Sequence, residues 1–276
     1  MKDLIVKLEI EQDHHQSLDF AISVAEAFNA HIAGVAFGSL AGLPNYSMIG
    51  VPGDVVGQIM AESEQMAGNA ITRFEAAAKR SELTSESHLL VDREYGAAET
   101  FASLARHFDL SVVGQSEDDG PDNDLMIEAA LFNTGRPVLV VPMIQKAGLK
   151  LDRVLCCWDG SKAAARAIND ALPLLKKAKA VEVFSVANDK SSDTPRFLRG
   201  TEMAEHLARH DVKVAIETLP AADIDVANTI LSHVADISAD LIVMGGYGHS
   251  RFREFVLGGA TRDILQSMTV PVLMSH

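Results

Sequence analysis

Apolar residues fall along this chain in short runs of four to six, separated by longer stretches in which they recur at helical spacing. Short apolar runs are the mark of parallel strands buried on both faces, and the longer amphipathic stretches are the helices that cover them. In the first half the pattern predicts strands near Leu4–Leu8, His31–Ala36, Ser87–Val91, Leu110–Val113 and Val138–Val141. Helices are expected between them, near Ser17–Phe28, Val55–Arg80, Ala97–His107 and Asp124–Phe132. In the second half strands are expected near Arg153–Cys157, Ala180–Val186, Lys213–Leu219, Leu241–Met244 and Val270–Met274, with helices near Lys162–Lys177, Pro195–His210, Asp223–Ile237 and Ala260–Met268. This alternation specifies an α/β fold built on a parallel sheet flanked by helices.

The two halves repeat one another. Leu4-Ile5-Val6 answers to Val154-Leu155-Cys156, and Leu110-Ser111-Val112-Val113-Gly114 answers to Leu241-Ile242-Val243-Met244-Gly245. Arg136-Pro137-Val138-Leu139-Val140 answers to Val270-Pro271-Val272-Leu273-Met274 near the end. Two tandem domains of five strands each follow, 1–147 and 148–276, joined by the short polar linker Pro142 to Lys150. With 276 residues, 47% of them hydrophobic and 22% charged, the chain can bury a core in each.

Charge changes this picture by separating the halves. Of the net charge of −14, residues 1–147 carry −13 (nine basic, 22 acidic) and residues 148–276 carry −1 (15 basic, 16 acidic). That balance argues against nucleic-acid binding, which needs clustered Lys and Arg. No run approaches the roughly 20 apolar residues of a membrane span. Met1-Lys2-Asp3-Leu4 leads into a strand rather than a signal peptide, so a cytoplasmic protein is expected. Cys156 and Cys157 are adjacent in a strand and point to opposite faces, which predicts buried, reduced thiols.

Candidate chemistry concentrates after the strand at Leu241–Met244. There Gly245, Gly246, Gly248, Gly258 and Gly259 precede the hydroxyl of Thr261 at a predicted helix start. Glycines let backbone N–H groups turn toward an anion, and a helix N-terminus adds the positive end of its dipole. Such a loop suits a phosphate; a turn retained for close strand-to-helix packing is the other reading. A P-loop, G-x-x-x-x-G-K-[ST], occurs nowhere, and the dinucleotide fingerprint fails at Arg251. Neither Ser-His-Asp order, paired carboxylates nor a zinc motif marks a catalytic machine, and the adjacent His14-His15 pair lacks converging ligands.

Gly245, Gly248 and Gly258, in the pattern G-x-x-G, nine residues, G, resemble the nucleotide-binding signature of the universal stress protein family. The resemblance implies two Rossmann-like domains of that family and an adenine nucleotide, ATP or AMP or ADP with Mg²⁺, held by residues 148–276. The candidate contacts are Met244, Gly245, Gly248, His249, Gly258, Gly259, Ala260 and Thr261 in and beside the loop. By the same resemblance Asp159 lies near the adenine and Val186 contacts the nucleoside through its backbone. Asp159 has the further reading of a helix cap. One departure stands out: Gly259 occupies a position where ATP-binding members carry Ser or Thr, removing a hydroxyl ligand. The first copy has no G-x-x-G, and its matching loop holds five carboxylates between Glu117 and Asp124, so it is expected to be a nucleotide-free half. The Gly- and Pro-rich segment Gly38 to Gly57 reads as a lid or a packing surface. The family resemblance further implies homodimer assembly, pairing of each domain's last strand, and a stress-response role through a protein partner. A nucleotide-free docking scaffold and a slow ATPase are the alternatives.

Overall fold

The structure is a computed structural model that describes residues 1–10, 15–38, 53–91, 96–116, 121–188, 200–221, 225–246 and 259–276. His14, most of the segment from Gly38 to Gly57, the core of the acidic loop, and Gly248, His249 and Gly258 lie outside them. The described residues form two compact units, Met1–Leu149 and Lys150–His276.

The first unit runs β1 (Asp3–Lys7), α1 (Gln16–Phe28), β2 (His31–Phe37), α2 (Gly53–Arg80), β3 (Ser85–Leu90), α3 (Ala97–Ala105), β4 (Leu110–Gly114), α4 (Pro121–Asn133) and β5 (Val138–Val141). Its strands lie in the order β3-β2-β1-β4-β5, every pair parallel. The second runs β6 (Arg153–Cys157), α5 (Lys162–Asp170), α6 (Leu172–Leu175), β7 (Ala180–Asn188), α7 (Thr201–Arg209), β8 (Val214–Ala221), α8 (Val226–Ile237), β9 (Leu241–Gly245), α9 (Gly259–Ser267) and β10 (Val272–Ser275). Its order, β8-β7-β6-β9-β10, is the same and again all parallel. Each unit is thus the α/β sheet that the apolar runs predict. In each, the strand order reverses beside the first strand, between β1 and β4 or between β6 and β9. Crevices that take ligands open at such reversals, at the carboxyl ends of the strands.

Burial explains why these segments are strands. Leu4, Ile5 and Val6 are all fully buried, as are Val154, Leu155 and Cys156 in the matching strand, so successive side chains on both faces need covering. Helices supply the cover through one apolar stripe each: Leu18, Ala21, Ile22 and Ala25 on α1, and Ala163, Ala164, Ala167 and Ile168 on α5. The α5 stripe is mostly alanine, which lets that helix lie close to the sheet. Packing is equally close at Gly34, where an added Cβ would come within 2.7 Å of the Phe74 ring of α2. No described helix is long and apolar enough to cross a membrane.

Several helix bounds depart from expectation. Helix α4 begins at Pro121 rather than Asp124. The helix expected over Pro195–His210 has its cap at Gly200, with α7 starting at Thr201. The helix expected over Lys162–Lys177 ends at Asp170 and restarts as α6, because Pro173 has no N–H for the next helical bond and its ring crowds the preceding turn. The chain bridges the break with a tighter turn, Leu174 N–H donating to Ala171 O at 2.8 Å. Helix α8 begins at Val226 rather than Asp223, capped by Asp225, whose Oδ1 accepts from the Asn228 N–H at 2.9 Å. Hydrogen bonds from Asn228 hold the Asp225 carboxyl below its ordinary range.

Ser111 and Ser185 are buried serines whose hydroxyls have no hydrogen-bond partner among the described residues. Ser111 on β4 is fully buried, whereas the matching residue of the second unit is Ile242. An orphaned buried hydroxyl costs about 1 kcal/mol or more. Ser111→Ala is expected to raise the unfolding free energy by about 1 kcal/mol, read from the midpoint of urea unfolding.

Candidate functional site

The second unit places its candidate residues at the strand reversal. Strand β6 pairs in register with β9, Cys156 opposite Val243, so the segment Trp158–Asp159 leaves the sheet beside Met244 and Gly245. On the other side Trp158 N–H donates to Phe184 O at 2.8 Å, which sets the same segment alongside the end of β7 and Val186. Neighbouring strands lie about 4.8 Å apart. Asp159, Val186, Met244 and Gly245 therefore share the carboxyl ends of three adjacent strands.

Local chemistry turns the chain at Asp159. Gly160 has φ +79, a left-handed conformation that glycine adopts without strain, and Asp159 Oδ1 accepts from the Ser161 N–H at 2.8 Å. Ser161 then caps α5, its Oγ accepting from Ala164 N–H at 3.0 Å. So Asp159 fixes the turn before the helix while the cap itself is Ser161. A carboxylate has two acceptor oxygens, of which this turn uses Oδ1.

Gly245 has a structural task of its own. A Cβ there would run into the backbone nitrogen of Ala164 and lie 2.6 Å from the carbonyl carbon of Ala163. The first glycine of the loop is thus what allows the N-terminus of α5 to approach the end of β9. The next residue is held too: Gly246 N–H donates to Ser275 O at 2.9 Å, and Gly246 O lies 3.1 Å from His276 Nδ1. On the far side of the loop, Gly259 and Ala260 are exposed at the start of α9, and Thr261 is 5% exposed. Gly248, His249 and Gly258 fall outside the described residues.

The first unit fills the equivalent place with its own side chains. Register aligns Leu4 with Leu110 and Val154 with Leu241, which makes Glu9 the counterpart of Asp159 and Gly114 that of Gly245. Glu9 Oε1 sits 2.6 Å from where a Cβ of Gly114 would stand. Around it Lys7 Nζ donates to Asn123 Oδ1 at 2.9 Å, Asn123 Nδ2 to Gln115 O at 3.2 Å, and Arg73 Nη2 to Glu9 O at 3.1 Å. Glu9 thereby occupies the strand reversal of this unit, with the cationic Lys7 and Arg73 in the same cluster. Nothing in the local sequence signals this, because Glu9, Arg73 and Asn123 are far apart along the chain.

Cys156 is buried as expected, whereas Cys157 is half-buried. Burial, then the nearby Asp159 carboxylate, pushes the Cys157 thiol up to about 12, and burial pushes Cys156 up as well. Because the thiolate is the nucleophile, neither cysteine is expected to take up iodoacetamide at pH 8 in the native protein, while both do so in urea. Mass spectrometry of the intact chain reads this directly; a native adduct overturns it. Among the described residues no group of three or more His, Cys, Asp or Glu is arranged to hold a metal ion.

Comparison with known proteins bears on this unit first. Residues 150–276 match the model of the Universal stress protein family. A universal stress protein of Synechocystis sp. is 28% identical over 148 residues, which is 53% of this chain and 49% of that protein. The match thus spans about half the length of that relative. A universal stress protein of Bacillus subtilis is 27% identical, over 45% of this chain and 97% of its own. Among solved structures, a universal stress protein from Archaeoglobus fulgidus superposes with a TM-score of 0.71 at 17% identity, covering 98% of this chain and 95% of that one. That likeness extends the shared fold to both units.

Proposed function

We propose that this chain is a tandem universal stress protein that binds one adenine nucleotide and acts as a stress-response sensor rather than a fast enzyme. The observation that carries the reading is the convergence of Asp159, Val186 and Gly245 on the strand reversal of the unit whose sequence matches the family. In this reading residues 148–276 are the nucleotide-binding domain. Met244, Gly245, Gly248, His249, Gly258, Gly259, Ala260 and Thr261 hold the phosphates, and Asp159 and Val186 hold the nucleoside. Residues 1–147 are a degenerate domain whose equivalent place is filled by Glu9. The ligand is ATP, or AMP or ADP, with Mg²⁺ accompanying the polyphosphate; the protein is cytoplasmic, assembles as a homodimer and signals to a protein partner.

Calorimetric titration of the full chain with ATP and magnesium tests it, with one site per chain as the expected result. Two sites, or none for any of the three nucleotides, overturn it. A nucleotide-free docking scaffold is the second reading, favoured by Gly259, which offers no hydroxyl where a ligand oxygen would need one. Nucleotide found by mass spectrometry in the freshly purified protein would exclude the scaffold.

A further inference from the structure

Helix α7 buries Met203, Ala204 and Leu207 against its unit and leaves His206 and His210 on its flank, half-buried and one turn apart. Residues at i and i+4 are neighbours on a helix surface. Here the two rings stand edge to face with centroids 4.7 Å apart at an interplanar angle of 65°. Two imidazoles sharing one tetrahedral ion at about 2 Å would have centroids about 5 Å apart. The observed centroid separation is thus close to that of a chelating pair.

The neighbouring helix α5 selects the nitrogen that would bind. Asn169 Nδ2 donates to Ala165 O at 2.8 Å, which identifies the other end of that amide as its carbonyl oxygen. That oxygen lies 3.2 Å from His206 Nε2 and can only accept, so Nε2 carries the proton and Nδ1 keeps a lone pair. An amide or carboxylate oxygen behind one ring nitrogen is the arrangement that orients metal-ligating histidines elsewhere. Position adds to this. The pair sits in the last turn and at the C-cap of α7, where the helix dipole favours a cation, and the one guanidinium of that turn, Arg209, is 3.6 Å from Glu205 Oε2.

We propose that His206 and His210 form a surface chelate for a divalent first-row transition ion, with water completing the coordination. Copper(II) is bound most tightly, following the general order of affinity for nitrogen ligands. The site is independent of the nucleotide reading. His31 and His233 instead lean on the carboxylates Asp3 and Glu182.

The test uses the full chain and copper(II) iminodiacetate, whose open positions accept two imidazoles. Pulsed electron paramagnetic resonance is expected to show two coupled imidazoles on the bound ion. Affinity is expected to fall about tenfold or more in His206→Ala and in His210→Ala, since the second arm of a chelate binds intramolecularly. Asn169→Ala weakens binding by about tenfold through loss of the orienting hydrogen bond, and His107→Ala leaves it unchanged. A single-imidazole signal in the parent overturns the proposal, as does unaltered affinity in either histidine variant with native circular dichroism.

Discussion

His233→Ala is expected to lower the unfolding free energy by about 3 to 5 kcal/mol. His233 on α8 has a side chain 11% exposed and Glu182 on β7 one 15% exposed, and their Nε2 and Oε1 meet at 2.5 Å. The imidazole also stacks on Phe184, centroids 4.4 Å apart and planes 11° from parallel. Removing the ring takes away the stacking contact, leaves a cavity, and strips the hydrogen bond from a mostly buried carboxylate. Replacing both partners, Glu182→Leu with His233→Phe, removes the polar demand along with its supply and should bring stability back to within about 2 kcal/mol of the parent. Urea unfolding of the three proteins decides the matter. A His233→Ala protein within 1 kcal/mol of the parent would show that the pair contributes little.

The same pair shows where sequence reading reaches its limit. Val181-Glu182-Val183 reads as a strand with one polar face, and only the partner 51 residues later explains how the carboxylate can face a helix. Strands were legible because Leu4-Ile5-Val6, Val154-Leu155-Cys156 and their neighbours are buried on both faces, and burial on both faces writes itself as an unbroken apolar run. Helix ends were less so. Pro173 was in view inside the expected helix over Lys162–Lys177, but the amphipathic pattern continues through it while the hydrogen bonds do not. At the candidate site the pattern gave Asp159 and Gly245 as strand-end residues. It could not show that Glu9 stands over Gly114, since that depends on how a side chain folds over a neighbouring strand.

Gly245 and Gly114 occupy the same place in the two units, and alanine is expected to treat them differently. At Gly245 the added Cβ meets backbone atoms of Ala163 and Ala164, which no rotamer change can move. The N-terminus of α5 would have to lift from β9, loosening the alanine stripe beneath it, and overpacking of this kind costs about 3 kcal/mol. At Gly114 the closest atom is Glu9 Oε1, the far end of a flexible side chain that can swing aside, so the cost there should stay near 1 kcal/mol or below. Neither glycine has a positive φ, so the contrast measures contact alone. The proposed nucleotide follows the same division. Displacing α5 shifts Asp159 and Ser161 away from the strand reversal, so Gly245→Ala should lose ATP binding, as should Gly258→Val, where a side chain intrudes on the phosphates. Gly114→Ala should bind as the parent does. Urea unfolding and calorimetry on the same three variants separate the outcomes: equal stability of Gly245→Ala and Gly114→Ala would refute the packing role. Undiminished ATP affinity in a folded Gly258→Val protein would remove the loop from the site.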